Sequence, residues 1–163
     1  LGSVNSAIAF VSYFEESYLL FTIPKFDYSP KKQSVNPKKV YSIDNGLSSV
    51  NSVSFSSDRG RMLENMVFLH LRKRFGEGNV FYFREKNECD FVVREKGRIS
   101  AAFQVCYELH EDNKGRELAG LVEAMEKFGL KEGLILTYKQ EDELKIDGKL
   151  IAIKPIWKWM LEK

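Results

Sequence analysis

Two apolar-rich runs, Glu88 to Arg94 and Ile99 to Tyr107, constrain this chain most, because only Glu95, Lys96, Gly97 and Arg98 separate them. A connection that short, with a glycine in it, calls for an antiparallel hairpin. Side chains alternate faces along a strand, so the hairpin sorts its residues by parity. Asp90 and Val92 are expected on one face of the first strand. On the second, Ala102, Gln104 and Cys106 share one face, and Phe103, Val105 and Tyr107 the other. With the turn at Lys96 and Gly97, Asp90 falls opposite Gln104, where a carboxylate and an amide could touch one ion.

The flanking segments supply what the hairpin packs against. From Asp58 to Phe75, apolar side chains recur at Leu63, Val67, Phe68, Leu71 and Phe75, which predicts a helix with Glu64 at the border of its stripe. Val80 to Arg84 reads as a further strand. Asp112 to Phe128 repeats Leu118, Leu121, Val122, Met125 and Phe128 and predicts a second helix, ended by Gly129. Gly133 to Tyr138 has the apolar density of a buried central strand, and Leu144 to Ile153 turns back on itself through Asp147 and Gly148. Pro155 opens a last short helix. Its Trp157 and Trp159 cannot share a face, so one is expected inside and the other free to meet a neighbouring domain. This order predicts an α/β fold, a mixed central sheet flanked by helices.

Ahead of this body, Ser3 to Ser17 predicts a helix, Tyr18 to Ile23 a strand, Ser29 to Lys39 an exposed basic loop, and Lys39 to Ile43 a second strand. Helix, strand, basic loop, strand is the order of the back half of a winged-helix module, with the loop as wing. Residues 1–50 are therefore expected to form a partial winged-helix-like lobe and 51–60 a linker, overlapping the Ser-rich run Ser48 to Ser57. Residues 61–163 are expected to form the main domain. Lys25, Lys31, Lys32, Lys38 and Lys39 flank or occupy the loop and, with Arg84, are candidate contacts for a nucleic-acid backbone. Basic loops are also common on inert surfaces. The chain opens on Leu1 inside a helical pattern, as a piece of a longer polypeptide would.

Composition removes several classes. A length of 163 residues suits one core with a small appended lobe. The formal net charge of +2 gives no whole-molecule field for nucleic acid, so such contacts must be local. Cys89 and Cys106, taken with His70 and His110, lack the C-x-x-C spacing of a zinc site. Without a run of about 20 apolar residues or a signal peptide, the expected location is the cytoplasm, with no membrane partner. No G-x-x-x-x-G-K-[ST] occurs, so the chain itself holds no ATP site of that kind.

A helix bearing Glu64, then Glu88-Cys89-Asp90-Phe91-Val92-Val93, then Phe103-Gln104-Val105-Cys106-Tyr107, resembles the PD-(D/E)xK nuclease superfamily over Arg61 to Ile153. The stretches Tyr18-Leu19-Leu20-Phe21 and Lys39-Val40-Tyr41-Ser42-Ile43-Asp44-Asn45-Gly46-Leu47 resemble what precedes this domain in the C-terminal region of archaeal and bacterial AAA-type ATPases. The resemblance implies a restriction-endonuclease-like fold. In its active members an Asp on the second strand and an acid on the third hold Mg²⁺, a Lys two positions later activates or orients water, and a helix Glu completes the site. Asp90 and Glu64 match that pattern. Gln104 stands where the second acid belongs, and Cys106 where the Lys belongs.

The resemblance thus implies a degenerate site of Glu64, Asp90 and Gln104, with Asp90 and Gln104 as ligands for Mg²⁺ or Mn²⁺. An amide oxygen brings no charge to a hard cation. Losing one preorganised stabilising group typically costs about 10²- to 10³-fold in rate. Arg84, Lys86 and Lys114 are candidates to replace the lost cation. The expectation is a noncatalytic DNA- or protein-binding and specificity module of a P-loop ATPase. ATP would act only through that ATPase domain upstream in the same polypeptide. The alternatives are an active Mg²⁺-dependent nuclease cutting DNA or RNA, and a pure protein-interaction domain. The plainest reading of Asp90 and Gln104 is a polar pair satisfied within its hairpin.

Overall fold

The computed structural model describes the backbone of residues 4–51 and 59–162, and side chains over 6–50 and 59–162. Its first part comprises helix α1 (Val4–Glu16), strand β1 (Leu20–Pro24), helix α2 (Pro30–Val35), strand β2 (Lys38–Ser42) and helix α3 (Asn45–Asn51). β1 and β2 form a two-stranded antiparallel sheet in which Phe21 faces Tyr41. Two expectations change here. The basic segment after Ser29 is not all loop: Pro30 sits in the first turn, where its missing N–H costs nothing, and starts α2. The Ser-rich run is helical at its start, through Asn51; residues 52–58 lie outside the described residues, and Arg59 and Gly60, expected in the linker, open the next helix.

Helix α4 (Arg59–Phe75) leads into strands β3 (Val80–Arg84), β4 (Glu88–Glu95) and β5 (Arg98–Val105). The β4–β5 turn is made by Lys96 and Gly97, both at positive φ (51° and 80°), the conformation that suits a two-residue hairpin. Phe91 faces Phe103, and Val92 faces Ala102. Helix α5 (Glu111–Phe128) then crosses to β6 (Glu132–Thr137), which runs parallel to β5. The hairpin of β7 (Asp142–Ile146) and β8 (Lys149–Pro155) adds β8 parallel to β6, and helix α6 (Ile156–Leu161) closes the chain. The six-stranded mixed sheet has the order β3-β4-β5-β6-β8-β7.

Each face of the sheet has its own core. On one, α4 and α6 bury Val67, Phe68, Leu71 and Trp159 against Phe91, Val93, Phe103 and Leu136, and the lobe adds Phe21, Ile23 and Tyr41 to the same cluster. Phe68 stacks on Tyr41 at 4.3 Å between ring centroids. On the other face, α5 buries Leu121, Ala124 and Met125 against Val92, Ala102, Ile135 and Ile151. Each such aliphatic side chain stabilises the fold by roughly 1.5–3 kcal/mol. α5 comes so close to β4 that a Cβ added at Gly120 would lie 1.9 Å from the Glu88 carbonyl oxygen. Trp159 is buried and Trp157 is exposed, as their spacing predicts. No helix among the described residues is long and apolar enough to cross a membrane.

Candidate functional site

The site begins with an irregularity in β4. Phe81 faces Val92, but Phe83 faces Cys89, which leaves Asp90 and Phe91 together against Tyr82. A bulge of this kind re-aims a side chain. Cys89 and Val92 pack on the α5 side, Phe91 and Val93 on the α4 side. Asp90 turns to the α4 side too, where its Oδ1 meets Lys39 Nζ at 2.9 Å. Strict alternation, which pairs Asp90 with Val92, fails at this point.

Beyond Phe91 and Phe103 the β4–β5 ladder stops, and side chains take over the backbone bonding. The Asp90 N–H donates to Gln104 Oε1 at 3.2 Å, and the Val105 N–H donates to Asp90 Oδ2 at 3.0 Å. The parted strand ends floor a cleft of about 610 Å³ whose lining includes Glu64, Glu88, Asp90, Gln104, Arg116 and Glu117. Glu64 arrives from α4, Glu88 and Asp90 from β4, and Gln104 from β5.

A lysine occupies the centre of the acidic side. Lys39 Nζ lies 3.1 Å from Glu64 Oε1, 2.9 Å from Glu88 Oε1 and 2.9 Å from Asp90 Oδ1. Two residues along β2, and so on the same face, the Tyr41 hydroxyl donates to Glu64 Oε1 at 2.7 Å. Burial opposes the charge on Lys39, but Asp90, Glu64 and Glu88 outweigh it and hold the ammonium well above the ordinary lysine range. Burial pushes Asp90 up to about 7, with Lys39 pulling it down and Glu64 pushing it up. The Tyr41 phenol is raised by burial and by Glu64.

This corrects the expectation for Lys39: an ammonium fenced by three carboxylates is not offered to a phosphate. Nor is the cation at this site one of those expected to replace it. Arg84 is exposed and 3.7 Å from Glu88, Lys86 gives its backbone N–H to Glu123, and Lys114 lies 3.9 Å from Glu111.

Gln104 reaches the other way. Its Nε2 donates to Glu117 Oε2 of α5 at 2.7 Å, and Glu117 Oε1 accepts from Arg116 Nη2 at 2.6 Å. The carboxylate and the amide therefore line one cleft without converging on one point. Mg²⁺ or Mn²⁺ needs several oxygens converging at about 2.0–2.2 Å. The place where Glu64, Glu88 and Asp90 converge is filled by an ammonium. Among the described residues no group of three or more His, Cys, Asp or Glu is arranged to hold a metal. The donor set does not fit a divalent cation. Nor is there a thiol nucleophile: Cys89 and Cys106 are buried and free, and burial, then Glu117, pushes Cys106 up to about 12.

The family described as a domain of unknown function, DUF4143, matches residues 59–159, which takes in α4, the whole six-stranded sheet and most of α6. The chain belongs to the DUF4143 family. It is 41% identical over 161 residues to an uncharacterized protein of Methanocaldococcus jannaschii, covering 93% of this chain and 35% of that protein. It is 24% identical over 153 residues to an uncharacterized protein of Haemophilus influenzae, covering 94% of this chain and 36% of that one. The chain thus spans about a third of the length of these curated relatives. No solved structure matches it.

In this DUF4143 chain the other basic candidates are scattered. Lys31 and Lys32 are exposed on α2, Lys38 is exposed at the start of β2, and Lys25 bridges to Tyr82 at the edge of β3. The residues that sequence reasoning missed are Lys39 in its central role, Glu88 and Glu117. One signal was present: Lys39 and Tyr41 alternate on β2, so a lysine on the face of an aromatic is aimed at the core. Nothing local to Glu117 marks it, since the partner that buries it is Gln104 from another strand.

Proposed function

We propose that this chain is a degenerate, noncatalytic nuclease-fold module that serves as the binding and specificity end of a longer polypeptide carrying a P-loop ATPase upstream. Its finer kinship would be restriction-endonuclease-like for the sheet and winged-helix-like for the lobe. The observation that carries the reading is the Lys39 ammonium among Glu64, Glu88 and Asp90. An ammonium neutralises carboxylates as a metal would, but it has no open coordination position and does not lower the pKa of a bound water. Gln104 and Cys106 remove the second acid and the lysine of the nuclease pattern independently. The share of the relatives that lies beyond this chain, about two thirds, leaves ample room for an ATPase domain.

The test is incubation of the purified chain with Mg²⁺ or Mn²⁺ and single- and double-stranded DNA and RNA. No cleavage above background is expected. Turnover that disappears in Asp90→Ala would overturn the reading in favour of an active nuclease. The cleft, lined by Glu64, Glu88, Glu108 and Glu117, is also a poor seat for a phosphate backbone, so any nucleic-acid contact is expected elsewhere.

A further inference from the structure

The opposite end of the sheet has the opposite character. At the β4–β5 turn and the C-terminus of α5, a groove of about 700 Å³ is lined by Arg94, Arg98, Lys127 and Lys131 together with Phe26, Tyr28 and Phe128. Its one acidic lining residue is Asp27, whose Oδ1 already accepts the Ser29 N–H at 2.9 Å. Lys127 is matched by Glu85 at 2.6 Å, and Arg94 is spent partly on the Gly78 carbonyl at 2.9 Å. Arg98 and Lys131 are exposed, and neither has an ion-pair partner among the described residues. α2 forms one wall through Pro30 and Gln33, and Lys31 and Lys32 of the same helix are exposed.

The aromatic part is rigid. Phe26 is locked edge-on against Phe81 (5.4 Å) and Phe128 (5.1 Å), and its N–H donates to the Tyr82 carbonyl at 2.8 Å. Tyr28 packs edge-on against Phe26 at 5.2 Å and leaves 76% of its surface in solvent. A large exposed ring packed on an aromatic base, beside uncompensated cations, is the arrangement on which an unpaired base stacks while its phosphates meet arginine and lysine. A duplex hides its bases, so this geometry favours a single strand.

We propose that this groove binds single-stranded nucleic acid, with Tyr28 as the stacking surface and Arg98 and Lys131 as phosphate contacts, flanked by Lys31 and Lys32. The inference rests on the reading of the chain as a binding module and deepens it by naming the ligand class and the place of contact. Acidic cleft and basic groove lie at opposite ends of the strands, so their roles separate cleanly in mutants.

The experiment is fluorescence anisotropy of labelled oligo(dT) and oligo(U) of about 16 nucleotides with the purified chain over a range of salt. The two phosphate contacts, Arg98 and Lys131, predict a slope of log affinity against log salt of roughly −1.4 for a single strand. Tyr28→Ala is expected to weaken binding about tenfold. Arg98→Glu with Lys131→Glu should weaken it further and flatten the salt slope, whereas Lys145→Glu, exposed on the far edge strand β7, should leave binding in place. Binding that survives all three groove substitutions overturns the groove while leaving a nucleic-acid-binding module intact. Absence of salt-dependent binding to either oligonucleotide overturns the proposal, and metal-dependent cleavage separately addresses the module reading. A duplex of equal length bound as tightly as the single strand would also overturn it. All three positions are on the surface, and unchanged thermal unfolding of the variants confirms that the fold is retained.

Discussion

Replacing Lys39 by methionine keeps most of the side chain's volume and removes its charge, which isolates the electrostatic role of the ammonium. The side chains involved are largely shielded: Lys39 is 21% exposed, Glu64 22%, Asp90 11% and Glu88 36%. Breaking a fully buried ion pair from one side costs roughly 3–5 kcal/mol. Partial exposure, and the freedom of Glu88 to swing toward Arg84, reduce that to about 2–3 kcal/mol at pH 8. The cost depends on pH through Asp90, whose folded pKa of about 7 lies above its ordinary value of 3.8. A carboxyl raised in the folded state stabilises fully below its unfolded pKa, and that contribution is lost as pH rises through the folded value.

At pH 5, Asp90 is therefore neutral in the folded protein with or without Lys39, and the loss shrinks to the Glu64 and Glu88 pairs, about 1 kcal/mol. The readout is urea unfolding at both pH values, followed by the fluorescence of Trp159, which is buried against Phe103 and His70. Equal destabilisation at pH 5 and pH 8, or none at pH 8, would refute the argument that Lys39 holds a charged Asp90 in place.

Three further outcomes follow from named contacts. Lys39→Ala opens the point where three carboxylate oxygens converge, so calorimetry should detect millimolar-range Mn²⁺ binding in the variant and none in the parent protein. Gly120→Ala should destabilise by about 1–3 kcal/mol, because its methyl meets the Glu88 carbonyl. Gly115→Ala on the same helix meets nothing within 4 Å and should gain up to about 1 kcal/mol; thermal unfolding of the pair checks both. Cys89 and Cys106, both buried and raised, should stay unmodified by a disulfide reagent at pH 8 in the native protein and react together on unfolding.

The parts of this molecule legible in its sequence are those governed by local periodicity. The apolar repeats of α4 and α5 and the short Lys96–Gly97 turn specified two helices and a hairpin, and with them the approach of Glu64, Asp90 and Gln104 to one cleft. α2 was missed because it buries no residue and so shows no apolar period, although Ser29-Pro30 is a helix-start signal. The bulge at Asp90 was invisible: no glycine or proline marks it in β4, and it exists only in the mismatch between β3 and β4. Lys39 was misassigned because its position next to Lys38 reads as a charged loop. Strand pairing with β1 turns Lys38 outward and Lys39 in.

The source of the central cation has a mechanical consequence. In the nuclease pattern the lysine belongs to the same strand as the second acid, so the site is complete within the sheet. Here the ammonium comes from β2 of the lobe and reaches Asp90 across a separation of 51 residues, while Tyr41 ties the same strand to α4 and Asn65 accepts the Ser42 N–H at 2.9 Å. Swinging the lobe away would strip a charge from three carboxylates at once and expose Phe21, Ile23 and Tyr41. Lobe and sheet are therefore expected to move as one body. A load applied to the lobe by a neighbouring domain would be delivered to the cleft through Lys39, rather than absorbed between the two.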